Sequence, residues 1–181
     1  MTRILPVQQN NTPPMSAPIL DMVKKKIGRV PNLVRTLAHS PAALKFYLSQ
    51  TEALATGTLD TKLREQIALT VAGINSCDYC ASTHTFIGRS RGIDSDELAD
   101  NLVGISNDLK TQVALDFTRQ ILTMKGHVDD ETLTALKSVG FIDAEIVEMI
   151  AHVGMNIFTN YFNHVAKTAI DFPFVSSTLT R

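Results

Sequence analysis

An all-α fold is what this sequence predicts, and three observations predict it. Helix breakers recur at intervals of one short helix, at Pro31, Pro41, Gly57, Gly92, Gly104, Gly126 and Gly140. Between them the apolar residues return at helical spacing, most plainly around Ile146, Met149, Ile150, Val153 and Ile157. No run of alternating β-branched residues is flanked by an Asn-Gly or Asp-Gly turn. The expectation is a bundle of roughly eight to nine helices, one domain over residues 1–181 with an extended arm at 1–16 and a tail at 168–181.

The breakers and caps place the helices at roughly 18–28, 31–39, 41–56, 60–75, 77–91, 95–103, 107–125, 130–138 and 143–167. Asp60 can cap the fourth, Asn75 or Ser76 the fifth and Ser95 the sixth, where Asp96 and Glu97 suit a helix N-terminus. Asp143 precedes the longest and most apolar helix, whose stripe reads as core or subunit interface. Gly154 within it would let another helix approach closely. In the tail, Phe172-Pro173-Phe174 reads as a segment that docks on the body or on a neighbouring subunit.

A net charge of -1 gives no reason to expect nucleic acid or an anionic membrane as partner. The start holds Pro6, Pro13 and Pro14 rather than an apolar signal core, and no stretch reaches the roughly 18 apolar residues of a membrane span. A cytoplasmic protein is expected, with its two cysteines reduced at rest.

Those cysteines carry the chemistry. Glu65, eleven further residues, Cys77-Asp78-Tyr79-Cys80, three residues and His84 form one segment. On a helix, positions 77, 80 and 84 line one face, with the sulfurs close enough to bond and His84 one turn beyond. A cap at Asn75 or Ser76 would put Cys77 in the first turn, where unpaired N–H groups and the dipole favour a thiolate. Glu65 shares an apolar stripe with Ala68, Leu69 and Ala72, and an antiparallel return would bring it against the dithiol helix. A carboxylate in such surroundings has a raised pKa and can exchange protons near neutrality.

A mechanism follows from these parts. His84, oriented by Glu65, takes the proton of Cys80. The Cys80 thiolate attacks a peroxide oxygen and becomes a sulfenic acid, Cys77 condenses with it, and an external dithiol or protein reductant restores the pair. The same four residues could instead offer two sulfurs, a nitrogen and an oxygen to zinc, although ligands crowded into one helix fit a tetrahedron poorly. No metal or cofactor is expected. His39, His127, His152 and His164 read as structural, and Lys24-Lys25-Lys26 as a solvated face. Glu148, Asn160 and Asn163 echo the spacing of Glu65, Cys77 and Cys80, too thinly to claim a duplication.

Glu65, Cys77, Cys80 and His84 reproduce the spacing of the AhpD-like alkylhydroperoxidases, within the carboxymuconolactone decarboxylase-like superfamily. The Leu-Arg-Glu at 63–65, the Arg-Gly-Ile at 91–93, the Asn-Tyr-Phe-Asn at 160–163 and the closing Asp-Phe-Pro at 171–173 also resemble peroxidase-related members. The resemblance runs from about Pro31 to Phe174. It implies an all-α fold, hydroperoxide reduction, and homo-oligomers such as trimers or hexamers. Cys80 would be the attacking cysteine, Cys77 the resolving one, and Glu65 and His84 the proton relay. Relatives place a histidine just before the second cysteine where this chain has Tyr79, so one arm of the relay is missing or replaced by a phenol. Two other functions use the same features: a redox adaptor or sensor working through the dithiol, and a decarboxylase-like lyase, whose relatives generally lack Cys-x-x-Cys.

Overall fold

The computed structural model describes residues 1–178, and the last part of the expected tail, 179–181, lies outside the described residues. Among the described residues there are nine helices and no strand: α1 (Ala17–Ile27), α2 (Asn32–Leu37), α3 (Pro41–Ala55), α4 (Thr61–Ile74), α5 (Asp78–Ser90), α6 (Ser95–Leu102), α7 (Leu109–Thr123), α8 (Asp130–Ser138) and α9 (Asp143–Ala166). The breaker pattern therefore finds every one of these elements, with no end displaced by more than two residues.

Helix α4 is the hub and packs against α5, α6, α7 and α9. Every residue from Leu63 to Ala72 except Arg64 is buried, as expected of a helix covered all round. Leu69 and Ala72 enter one apolar cluster with Leu33, Leu37, Leu44 and the dithiol. Leu63, Ile67 and Val71, on other faces, enter a second with Phe117, Leu136, Met149 and Val153. Thr70 turns its hydroxyl to the carbonyls of Gln66 and Asn101, so this buried polar group stays satisfied. At Gly73 even a methyl group would run into the Leu102 carbonyl, which shows how closely α6 approaches.

Several expected caps shift by a residue. Asp60 caps α4 as expected, accepting from the N–H groups of Lys62 and Leu63. Asp94, not Ser95, caps α6, and Ile142, not Asp143, stands at the N-cap of α9. Here Glu145 reaches back to the Ile142 N–H, so a side chain one turn along supplies the partner that the cap residue lacks.

In α9, Ile146, Met149 and Val153 are buried, whereas Ile150 is exposed. Among the described residues, nothing beyond its own helix lies within 4 Å of a side chain added at Gly154, so that glycine serves no close contact with another described helix. The Glu148–Asn160–Asn163 echo is not a structural repeat. Those residues share one continuous helix, while Glu65 and Cys77 are separated by a turn.

The first residues and the described part of the tail are both laid on the body. The N-terminal segment is fixed by Arg3 and Ile4 N–H to the Ala166 carbonyl, and by Val7, which is buried. The tail docks on α5 of its own chain, where Phe172 packs edge-on against Tyr79 and beneath the Arg29 guanidinium. Among the described residues no helix is long and apolar enough to cross a membrane.

Candidate active site

The turn between α4 and α5 sets up the site. Ser76 adopts φ 54°, the left-handed region that closes a helix. Ser76 N–H bonds to the Gly73 carbonyl and Cys77 N–H to the Ala72 carbonyl, the paired bonds of a Schellman motif. Asn75 and Ser76 are thereby spent on ending α4, and the expected cap of α5 moves on to Cys77 itself. Its backbone is extended and its Sγ accepts from the Cys80 N–H at 3.3 Å. The cap is therefore a cysteine sulfur, held at the positive end of α5 and not within its first turn.

Cys77 and Cys80 are joined as a disulfide, with Cα atoms 5.3 Å apart. Both are almost wholly buried. They differ in what they face. Cys80 lines a cavity of about 230 Å³ together with Tyr47, Glu65, His84, Arg91 and His152. Cys77 is not among the residues that line it. Sulfur access therefore runs through Cys80.

Glu65 reaches this cavity from α4, as its apolar stripe required. The carboxylate is buried, with one oxygen 2.8 Å from His84 Nδ1 and the other 3.3 Å from the Arg91 guanidinium. The four residues singled out from spacing are thus brought together, and a fifth, Arg91, joins them. Arg91 lies in the Arg-Gly-Ile segment, whose conformation explains its reach. Gly92 takes φ 75°, and Gly92 and Ile93 N–H return to the carbonyls of Arg89 and Gly88, so α5 stops with Arg91 at its rim.

Two further polar residues come from α9. Asn163 Nδ2 donates to Cys80 Sγ at 3.4 Å, while its Oδ1 is buried without a protein partner. His152 lines the same cavity with its Nε2 buried and unpartnered. Burial, reinforced by the Arg64 charge, holds its pKa down at about 4, so the ring is neutral. His39 and His164 are tied to the carbonyls of Leu5 and Asn75. Among the described residues no group of three His, Cys, Asp or Glu side chains is placed to hold a metal ion.

Tyr79, at the position of the missing relay histidine, is bound elsewhere. Its hydroxyl donates to Asp171 at 2.9 Å and accepts from the Leu33 N–H at 3.1 Å. Burial pushes its pKa far above the ordinary tyrosine value, so the phenol keeps its proton.

Residues 41–117 match the model of the carboxymuconolactone decarboxylase family. An uncharacterized peroxidase-related protein from Silicibacter sp. TM1040 superposes with a TM-score of 0.82 at 23% identity, covering 93% of this chain and 91% of that one. The alkylhydroperoxidase AhpD core from Rhodospirillum rubrum ATCC 11170 is 30% identical, with 74% of this chain and 96% of that one covered and a TM-score of 0.50. The debrominase Bmp8, solved in complex with 2,3,4-tribromopyrrole, has a TM-score of 0.77 at 19% identity over 94% and 92% of the two chains. No curated protein matches the chain.

Proposed function

Because the chain belongs to the AhpD-like branch of the carboxymuconolactone decarboxylase family, we propose that it reduces hydroperoxides through the Cys77–Cys80 dithiol. The observation that carries this reading is the division of labour between the sulfurs: Cys80 lines the cavity beside Glu65 and His84, while Cys77 caps α5 behind it.

In the reduced protein, His84 accepts the Cys80 proton with Glu65 bonded to its other ring nitrogen. The thiolate attacks the outer peroxide oxygen, the O–O bond breaks, and His84 returns the proton to the departing alkoxide, which leaves as an alcohol. Cys80 is then a sulfenic acid. Cys77, favoured as a thiolate by the N–H groups of α5, displaces its hydroxyl as water and forms the disulfide. An external dithiol supplies two electrons and two protons to reopen it. The burial of both sulfurs favours this enzyme reading over an adaptor that must present its disulfide to a protein surface. Homo-oligomeric assembly remains part of the proposal.

The test is to reduce the protein, remove the reductant, add a small excess of cumene hydroperoxide and count free thiols by mass. Loss of both thiols within minutes, with Cys80→Ser inert and Cys77→Ser stalled at one oxygen added, is the expected result. Survival of both thiols in folded protein would end the reading. 2,3,4-Tribromopyrrole, the molecule bound to Bmp8, serves as the comparison oxidant. Thiol loss with it alone would replace peroxide reduction by exchange of bromide for hydrogen at the cost of the same two thiols.

A further inference from the structure

Arg91 appears in none of the motif's four positions, yet it is the one cation, among the described residues, in salt-bridge range of Glu65. Arg64, next in sequence to Glu65 and also at the cavity wall, is diverted. Its guanidinium donates to the carbonyls of Ala55, Gly57 and Leu59. Arg91 is itself anchored by a bond from Nη1 to the Thr61 carbonyl, so its second nitrogen is aimed at Glu65. The result is a chain of three side chains, guanidinium, carboxylate and imidazole, ending one helical turn from Cys80.

The geometry points to Arg91 as a positioning residue: it grips one oxygen of Glu65 so that the other fixes His84 with its proton on Nδ1 and leaves Nε2 as the base for Cys80. This rests on the dithiol reading of the site and deepens it. A carboxylate bonded to a guanidinium only accepts hydrogen bonds, so the 2.8 Å contact requires His84 to donate from Nδ1. Arg91 also places a fixed positive charge on the far side of the carboxylate from the ring. A linear relay of this kind needs one histidine, which accords with a tyrosine standing at position 79.

Among the described residues, the charged and titratable groups that line the cavity with His84 are Arg64 and Glu65 from α4, Arg91 from the end of α5, Tyr79 and Cys80 from α5, Tyr47 from α3 and His152 from α9. Arg64 and Tyr79 are held by the bonds already described, and His152 is neutral. Arg91 is therefore the group whose removal changes the charge felt by the Glu65–His84 pair most directly.

The test needs no peroxide. In the reduced Cys77→Ser protein, the rate of Cys80 alkylation by iodoacetamide is followed from pH 5 to 9. Arg91→Met is expected to move the acid limb upward by about one pH unit, a rate loss of about tenfold below it. Arg91→Lys should largely restore the limb. In the His84→Gln background, Arg91→Met should have little further effect, since the arginine acts through the histidine. A limb that stays in place in folded Arg91→Met protein, or a full additional loss in the His84→Gln background, would overturn the proposal. Thiols that show these shifts but ignore hydroperoxides would sink the peroxidase reading and leave the role of Arg91 standing.

Discussion

The Tyr79 hydroxyl donates to the Asp171 carboxylate at 2.9 Å across 92 positions of sequence, and the same oxygen receives the Leu33 N–H. One phenol thus ties the dithiol helix to α2 and to the tail. Tyr79→Phe strands the buried Leu33 N–H and takes the donor from one oxygen of Asp171, whose other oxygen keeps the Asn32 N–H, and should lower stability by about 2 kcal/mol in urea melts. Peroxide-driven thiol loss should continue at its former rate. A fall on the order of a hundredfold, the size of a lost proton donor or acceptor, would put the phenol back in the relay.

Asn163 separates reactivity from stability. Its Nδ2 donates to Cys80 Sγ, but its Oδ1 is buried with no protein partner. Asn163→Leu removes a donor that favours a thiolate and, at the same time, an unsatisfied acceptor. Cys80 alkylation at pH 7 should slow by about tenfold while Tm holds or rises. Unchanged alkylation would show that the amide is only packing against the sulfur.

His152 should confer an acid sensitivity of its own. Above about pH 6.5 the ring is neutral in both folded and unfolded chains. As pH falls towards 4, the unfolded chain binds a proton that the fold excludes, and stability drops by about 2–3 kcal/mol. Comparing urea midpoints at pH 7.5 and 4.5, the wild type should lose more than His152→Gln. Asp108 and Asp129, whose pKa values are lowered by their hydrogen bonds, are common to both proteins and cancel. Equal losses would mean that the ring accepts its proton within the fold.

Gly73→Ala tests the contact between the hub helix and α6. The added methyl meets backbone, the Leu102 carbonyl, which cannot swing aside as a side chain would. A fall in Tm of about 5 °C or more is expected. Tolerance of alanine would show that α6 can move away without cost.

The helices were legible because their signals are local. Gly92, Gly104, Gly126 and Gly140 all have positive φ and sit where helices end, and Asp60 both looks like a cap and is one. The candidate site was legible in part for the same reason, since Glu65, Cys77, Cys80 and His84 fall within one segment. Cap preference misled at α5. Serine and asparagine outrank cysteine as N-caps, but the closure of α4 uses them first and hands the position to Cys77. Arg91 and Asn163 fell in segments that stood out only by resemblance, and His152 read as structural. Their roles depend on α9 crossing the dithiol helix and on where α5 stops. The 83-residue separation of Asn163 from Cys80 has no counterpart in any short spacing.

The two residues between the cysteines have both been claimed by the tail. Tyr79 holds Asp171, and Asp78 accepts from the backbone and hydroxyl of Ser177. The dipeptide inside the redox loop is thus not free to vary. A change made there to make the couple more oxidising or more reducing would also unfasten the end of the chain, so its effect on potential could not be isolated. On the proposed dithiol reading, freedom to retune the couple lies outside the loop, in His84, Arg91 and Asn163, whose side-chain bonds go to Glu65, Thr61 and Cys80 and not to the tail.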